Sequence, residues 1–363
     1  HSHLMFFSWA TPALMALWAC YVQGKVKRLS KAPGSLGRGG YLAAWAAMAL
    51  GLFSFPFFLV AGYGRVAFLG ARLPWATMIS GVTMFAWYSF GIWYVRIRPK
   101  LPRTPALALF EISLLALGVS TLGAWGRAAF QVMGGGSPML EELSVQLFLG
   151  AFTHGWLIVG TLGLAAASVE DQRPLRLGGA PWLLLLGLPG ASLMGRARMV
   201  GEGLGLGYQM GIALSALVFA AGLGWCAWRL VDAIPKGGAG WWPYLVFLLL
   251  TLVSLALSAI PPVIAWAERA GLYIVYLHLV ALGVASTGLV AAARERWGAG
   301  VAPSPWSFGG SVALLLLGVI SLTPLWPGSA DPAGRLAFAA GTSIPPVAAM
   351  LLPWFRESIR GRV

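Results

Sequence analysis

The four histidines of this chain are the side chains best suited to hold a metal or a cofactor: His1, His3, His154 and His278. His154 and His278 each lie inside a long apolar stretch, where an ionisable side chain is costly and therefore marks function by default. Neutral imidazoles between membrane helices are typical axial ligands of haem. Because a copper or zinc site needs three or four convergent ligands, haem held by two histidines requires fewer coincidences.

Three of the histidines also have a plainer interpretation. His154 is flanked by Thr153 and Gly155, and its ring can simply hydrogen-bond across helices. The chain begins with His1-Ser2-His3 rather than with methionine. This start is explained by processing, by an added sequence or by a preceding N-terminal segment, and both histidines also suit an interfacial position.

The composition indicates that the elements carrying these histidines cross a membrane. Of 363 residues, 58% are hydrophobic and 10% are charged, with a mean hydropathy of +0.78. A soluble domain has about 25% charged residues, so the composition excludes a soluble enzyme, a disulfide scaffold and a disordered tail. The net charge of +14 also suits a nucleic-acid-binding protein, but the distribution of the basic residues argues against nucleic acid as a partner.

Eleven apolar segments separate the charged and glycine- or proline-rich connections, and they predict an all-α polytopic transmembrane helix bundle formed by a single domain, 1–363. The predicted segments are 4–23, 41–63, 74–95, 105–125, 143–168, 179–195, 205–228, 241–265, 270–293, 308–326 and 336–355. Each is near the length of about 20 residues that a bilayer-spanning helix needs.

The loops alternate in charge, which predicts the orientation. One set of alternate loops, with the C-terminal tail, carries 18 Lys and Arg residues, and the other set carries 7. Because Lys and Arg are enriched on the cytoplasmic side, the N-terminus is predicted outside and the C-terminus in the cytoplasm. The chain has no Asn, and Arg outnumbers Lys 20 to 5. This usage suits a bacterium, so we predict a multi-pass protein of a bacterial inner membrane.

Other charged residues are secondary candidates. Glu111 is the acidic residue that falls inside a predicted segment, where it can belong to a proton path or pair with a neighbouring helix. Arg127, Arg196 and Arg198 lie in external loops near the level expected for haem propionates, which they could bind through bidentate contacts. Ordinary solvation explains these three arginines equally simply.

The opening His1-Ser2-His3-Leu4-Met5-Phe6-Phe7-Ser8-Trp9 resembles the start of the second helix in the haem-copper oxidase subunit I superfamily, which includes cytochrome oxidases, nitric oxide reductases and NnrS-like proteins. That family has twelve helices with both termini inside. If one helix precedes residue 1, the eleven segments correspond to helices two to twelve. His154 then falls on the sixth helix, and Tyr276-Leu277-His278 falls on the tenth, where the family has a His-x-His pair.

The resemblance also implies what this chain lacks. His278 corresponds to the second histidine of that pair, which binds low-spin haem in the family, while Tyr276 replaces the histidine that binds high-spin haem. The adjacent histidines of the seventh helix are absent from 179–195, and His154 alone cannot form the three-histidine copper site. The resemblance therefore implies a divergent member that binds a low-spin haem b between His278 and either His1 or His3, without copper.

Two functions follow as expectations. The first, implied by the resemblance, is electron transfer by a respiratory-complex subunit that exchanges electrons with cytochrome c or quinol, either as a carrier or as an oxidoreductase component. The second is a cofactor-free transporter or assembly factor, in which His154, His278 and Glu111 line a substrate or proton path.

Overall fold

The computed structural model describes residues 4–29, 38–62, 66–68, 70–73, 75–132, 138–170, 173–193, 205–234, 239–326 and 331–360. Within these ranges the chain is helical apart from turns and one short hairpin. In the hairpin, β1 (Val66–Phe68) pairs antiparallel with β2 (Ala71–Leu73). The chain divides into two compact units, His1–Gly160 and Thr161–Val363, and each is described by itself.

The helices of the first unit follow the predicted apolar segments in chain order. They are α1 (Thr11–Leu29), α2 (Arg38–Ala61), α3 (Trp75–Ile97), α4 (Pro105–Val132) and α5 (Pro138–Gly150). Two π-helical stretches belong to the same unit: π1 (Leu4–Ala10) leads directly into α1, and π2 (Ala151–Val159) continues α5.

The second unit begins within the helix that continues π2. Its helices are α6 (Gly160–Glu170), α7 (Ala180–Leu193), α8 (Gly205–Ala233), α9 (Trp242–Ser258), α10 (Pro261–Arg269), α11 (Leu272–His278), α12 (Thr287–Trp297), α13 (Pro305–Ser321) and α14 (Pro332–Arg360). A third π-helical stretch, π3 (Leu279–Ser286), joins α11 to α12.

Proline marks the start of many of these helices. Five of the helices in the described ranges begin at a proline, whose missing N–H and fixed φ suit the first helical position. These are α4, α5, α10, α13 and α14. In each of these five helices, a proline is therefore the first helical residue.

Several helices are long and apolar enough to cross a membrane, which makes the protein a multi-pass membrane protein. In the described ranges there are six: Arg38–Val60, Pro105–Phe130, Met139–Glu170, Gly207–Ala233, Leu272–Trp297 and Pro332–Pro353. A seventh is obtained if α9 and α10 are counted as one span. Every one of the eleven predicted apolar segments falls on a helix, but the remaining helices are shorter or less apolar.

The predicted segment 241–265 is not one straight helix. The axis bends by 112° between α9 and α10, at a break that precedes Pro261 and Pro262. Proline lacks the N–H that would continue the helix, and it forces the preceding residue out of the helical region. Ile260 is accordingly extended, with φ −94° and ψ 111°.

An aromatic core holds the first unit together. The Phe7 ring stacks on Trp87 at a centroid distance of 5.2 Å, and it lies 6.1 Å from the ring of Phe152. A second stack joins Trp18 to Phe110 at 4.1 Å. Such ring pairs contribute about 0.5–1.5 kcal/mol each beyond their buried area, so π1, α1, α3, α4 and π2 are joined through large buried side chains.

Close backbone approaches support both units. In the first unit, a Cβ added at Gly123 of α4 would collide with the carbonyl oxygen of Ser144 and the backbone nitrogen of Phe148, both in α5. In the second unit, α7 packs along α8, and a Cβ at Gly187 would collide with the backbone of Phe219. Small residues at these crossings allow the helix backbones to approach closely, as in other membrane bundles.

Candidate functional site

His278 is the last residue of α11, immediately before π3. Its Nδ1 lies 2.8 Å from the carbonyl oxygen of Ile274, one helical turn earlier. A carbonyl oxygen can only accept, so Nδ1 carries the proton of the neutral ring and Nε2 carries the lone pair. This is the arrangement of metal-binding histidines, whose second ring nitrogen is usually held by a carbonyl or a carboxylate.

The surroundings of His278 are comparatively open. Its ring is half-buried, and no residue of α11 is fully buried. The following stretch π3 is packed, with seven of its eight residues buried. His278 therefore lies at the boundary between an open part and a packed part of one apolar helix.

His154 has a similar hydrogen bond in a different environment. Its Nδ1 lies 3.0 Å from the carbonyl oxygen of Gly150, so its lone pair is again on Nε2. The neighbouring Thr153 hydroxyl donates to the carbonyl oxygen of Leu149 at 2.7 Å. All nine residues of π2 are buried, and His154 itself is 5% exposed.

Two of the three π-helical stretches in the described ranges lie at a described histidine. π2 contains His154, and π3 begins directly after His278, whereas π1 begins at Leu4, the first described residue. π-Helical turns are rare and are found mainly at functional sites, because the extra residue in each turn shifts side chains out of the regular helical register. Periodicity in the sequence gives no signal for them, and we did not predict them.

Four predicted site residues lie outside the described residues, namely His1, His3, Arg196 and Arg198. Of the two described histidines, His154 belongs to the first unit and His278 to the second. Among the described residues, no three His, Cys, Asp or Glu side chains form a cluster that could hold a metal ion.

Arg127 has an acidic partner within the first unit. Its guanidinium forms an ion pair with Glu141, which lies in the first turn of α5. The adjacent carboxylate, Glu142, accepts a hydrogen bond of 2.8 Å from the Gln146 side chain. The pair links the end of α4 to the start of α5, so Arg127 has a structural role whether or not it also binds an anion.

Glu111 pairs with a neighbouring helix, which was one of its two expected roles. Its carboxylate forms an ion pair with Arg98 and accepts a hydrogen bond of 3.0 Å from the Tyr94 hydroxyl. Arg98 also donates to the carbonyl oxygen of Leu101 at 3.1 Å. Both partners precede the turn into α4, so these bonds connect the end of α3 to the first turns of α4.

Glu295 also lies on an apolar helix, although the predicted segment did not include it. The predicted segment ended at 293, whereas α12 continues to Trp297 and includes Glu295. The indole N–H of Trp241 donates to the Glu295 carboxylate at 3.1 Å. The signal available in the sequence was Gly298, which has a φ of +83° and ends the helix.

Comparison of the sequence with protein-family models and with curated proteins finds no match. The function therefore has to be inferred from the residues of this chain.

Proposed function

We propose that the protein is an integral membrane haem b-binding protein that transfers electrons, as a carrier or as a subunit of a respiratory complex. The observation that carries this proposal is that both described histidines, His154 and His278, lie at π-helical stretches. π-Helical turns are rare and are frequent at functional sites, so their position at both histidines favours a functional role for this pair of positions.

The chemistry of His278 fits an axial ligand. Its Nδ1–H is held by the Ile274 carbonyl oxygen, which leaves the lone pair on Nε2 and fixes the plane of the ring. The half-buried position in an apolar helix combines access for a ligand with a low dielectric. We assign His278 as one axial ligand and His1 or His3 as the other, with His154 as a further candidate.

A haem bound in this way supplies one-electron storage and transfer within the membrane. The residues of the chain orient the two imidazoles and limit the access of water. Arg127, Arg196 and Arg198 are the proposed partners of the propionates, and Arg127 would share its guanidinium between a propionate and Glu141. Cytochrome c, quinol or other respiratory subunits are the proposed redox partners.

The proposed topology has eleven spans, an external N-terminus and a cytoplasmic C-terminus in a bacterial inner membrane. It is supported by the helical structure of the eleven apolar segments, of which 241–265 is bent into two helices, and by the division of basic residues between alternate loops, 18 against 7. The helix α3, which has 23 residues and one basic residue in its last turn, is long enough to cross the membrane.

A reduced-minus-oxidised absorbance spectrum of the full chain, purified from haem-replete cells, tests the proposal. We expect the bands of a low-spin b-type haem and their loss in His278→Ala. The spectrum of His154→Ala decides whether His154, the further candidate, is a ligand, since the bands are lost only if it is. The fraction of each variant that elutes as monodisperse protein shows whether that variant is folded. Absence of haem from the folded wild-type protein would refute the proposal and favour the cofactor-free transporter.

A further inference from the structure

Two apolar grooves run along opposite sides of α3 in the first unit. The first lies between α3 and α4, has a volume of about 460 Å³ and includes Gly91 and Gly118. The second lies between α2 and α3, has a volume of about 590 Å³ and includes Leu42 and Ala46. Both volumes are within the range of small-molecule sites.

The two grooves meet at the same residues of α3. Ile92 and Arg96 line both of them, and the Ile92 side chain is 54% exposed on the ridge that separates them. From Ala86 to Arg96 the helix rises about 15 Å, which is half of the hydrocarbon core of about 30 Å. Along the helix axis, the grooves therefore extend over about one lipid leaflet. Arg96 places a cation at the same end of both grooves.

Two of the polar side chains that line the grooves, Tyr88 and Ser89, are already engaged. The Tyr88 hydroxyl accepts a hydrogen bond of 2.8 Å from the Trp125 indole, and the Ser89 hydroxyl donates to the Phe85 carbonyl oxygen at 2.8 Å. Arg96 is the charged residue of both linings, is exposed, and forms no hydrogen bond or ion pair with the described residues. The grooves thus present apolar walls and one available cation.

The surrounding charge is strongly positive. The first 140 residues contain twelve Lys and Arg and a single acidic residue, Glu111, which Arg98 engages. Lys100 and Arg103 are exposed just beyond Arg96. The start of α2 lies at the same end, since a Cβ on Gly39 would be 2.8 Å from the Trp93 ring, and the adjacent Arg38 is exposed. This end of the unit attracts anions.

We propose that the two grooves bind one anionic phospholipid astride α3. One acyl chain lies in each groove, Ile92 separates the chains, and the headgroup phosphate binds Arg96. A basic pocket between helices is a common site for anionic lipid headgroups, and a single partner helix would cover one groove and leave the other empty. The proposal is independent of haem.

Native mass spectrometry of the full chain in detergent, titrated with dioleoyl phosphatidylglycerol, tests the headgroup contact. We expect a lipid adduct that dioleoyl phosphatidylcholine does not reproduce and that excess inorganic phosphate does not displace. Arg96→Gln should weaken the adduct about tenfold, because a charge-assisted contact is lost. The matched variant Lys100→Gln removes the same charge outside both grooves and should weaken it less than about fivefold.

Filling a groove tests the position of the acyl chains. A Cβ at Gly91 meets no atom within 4 Å, and Gly91 lines the first groove, so we expect the side chain of Gly91→Leu to occupy this groove in place of lipid. We expect the adduct to weaken at least several-fold. Gly211→Leu is the control, because a Cβ at Gly211 of α8 also meets nothing within 4 Å.

Three results of the lipid titrations would overturn the proposal. These are equal binding of both lipids, equal losses in Arg96→Gln and Lys100→Gln, or an unchanged adduct in Gly91→Leu. A purified chain that forms dimers through this surface in place of a lipid adduct would also overturn it.

Discussion

His154 and His278 are in similar local geometry but in very different surroundings. Each ring points its Nδ1–H at the carbonyl oxygen four residues earlier, and each lies at a π-helical stretch. His154 belongs to a stretch in which every residue is buried, whereas His278 ends a helix in which none is.

This difference in burial distinguishes a role in helix packing from a role in ligand binding. A ring enclosed by protein on every side has little room for a ligand, so the environment of His154 favours a role in helix packing. A half-buried ring keeps part of its surface available to a second molecule. The same residue type in the same backbone setting thus leads to two predictions, and three pairs of matched substitutions test them.

Lysine at the two histidine positions should give the largest contrast. His154→Lys puts an amine among buried neighbours, and an unpaired buried charge costs several kcal/mol. We expect little folded protein by size-exclusion chromatography in detergent. In His278→Lys the amine lies at a half-buried position, so this variant should remain folded while losing haem. Equal yields of the two variants would contradict the distinction between the sites.

Alanine at two helix-contact glycines should give an intermediate contrast. Both substitutions gain the same helix propensity, about 1 kcal/mol. At Gly123 the new Cβ collides with the backbone of α5, which leads into π2, and we expect a net loss of about 2 kcal/mol. At Gly283 in π3 it meets the Phe247 ring at 3.0 Å, and a small ring shift should keep the change within about 0.5 kcal/mol.

The two glycine variants are compared by thermal unfolding in detergent. The loss of monodisperse protein is the measured signal. A Gly283→Ala variant that is as unstable as Gly123→Ala would show that the region after His278 is packed as rigidly as the helix that carries His154.

Valine at two buried threonines should give the smallest contrast. Thr11 accepts the indole N–H of Trp156 at 3.2 Å, so Thr11→Val leaves that donor unpaired in π2 and should cost about 1 kcal/mol or more. Thr251 on α9, which packs against π3, has a buried hydroxyl with no hydrogen-bond partner among the described residues. Thr251→Val should therefore be neutral or stabilising in the same unfolding measurement.

Most of the helix positions could be predicted from the sequence because apolar runs and charged connections are both local signals. The bend in 241–265 was also encoded, since Pro261 and Pro262 follow each other inside the apolar run. The π-helical stretches could not be predicted, because the packing of neighbouring helices, rather than the local pattern, determines whether a turn takes an extra residue.

The sequence was enough to select candidate residues but not to predict their surroundings. Rarity of ionisable groups in apolar segments was enough to select His154, His278 and Glu111. Burial distinguishes the two histidines, and burial depends on contacts between helices that are distant in sequence. The partner of Glu111 was within reach of the sequence, since Arg98 precedes it across a short proline-containing turn.

The ion pair of Arg98 and Glu111 has a consequence for how the protein is made. Its two members lie in one helical hairpin, formed by α3 and α4, so the pair can form as soon as that hairpin has been synthesised. A lone acid opposes transfer of an apolar helix from the translocation channel into lipid, and the arginine offsets that charge. The two helices therefore suit joint insertion, as one unit of membrane biogenesis.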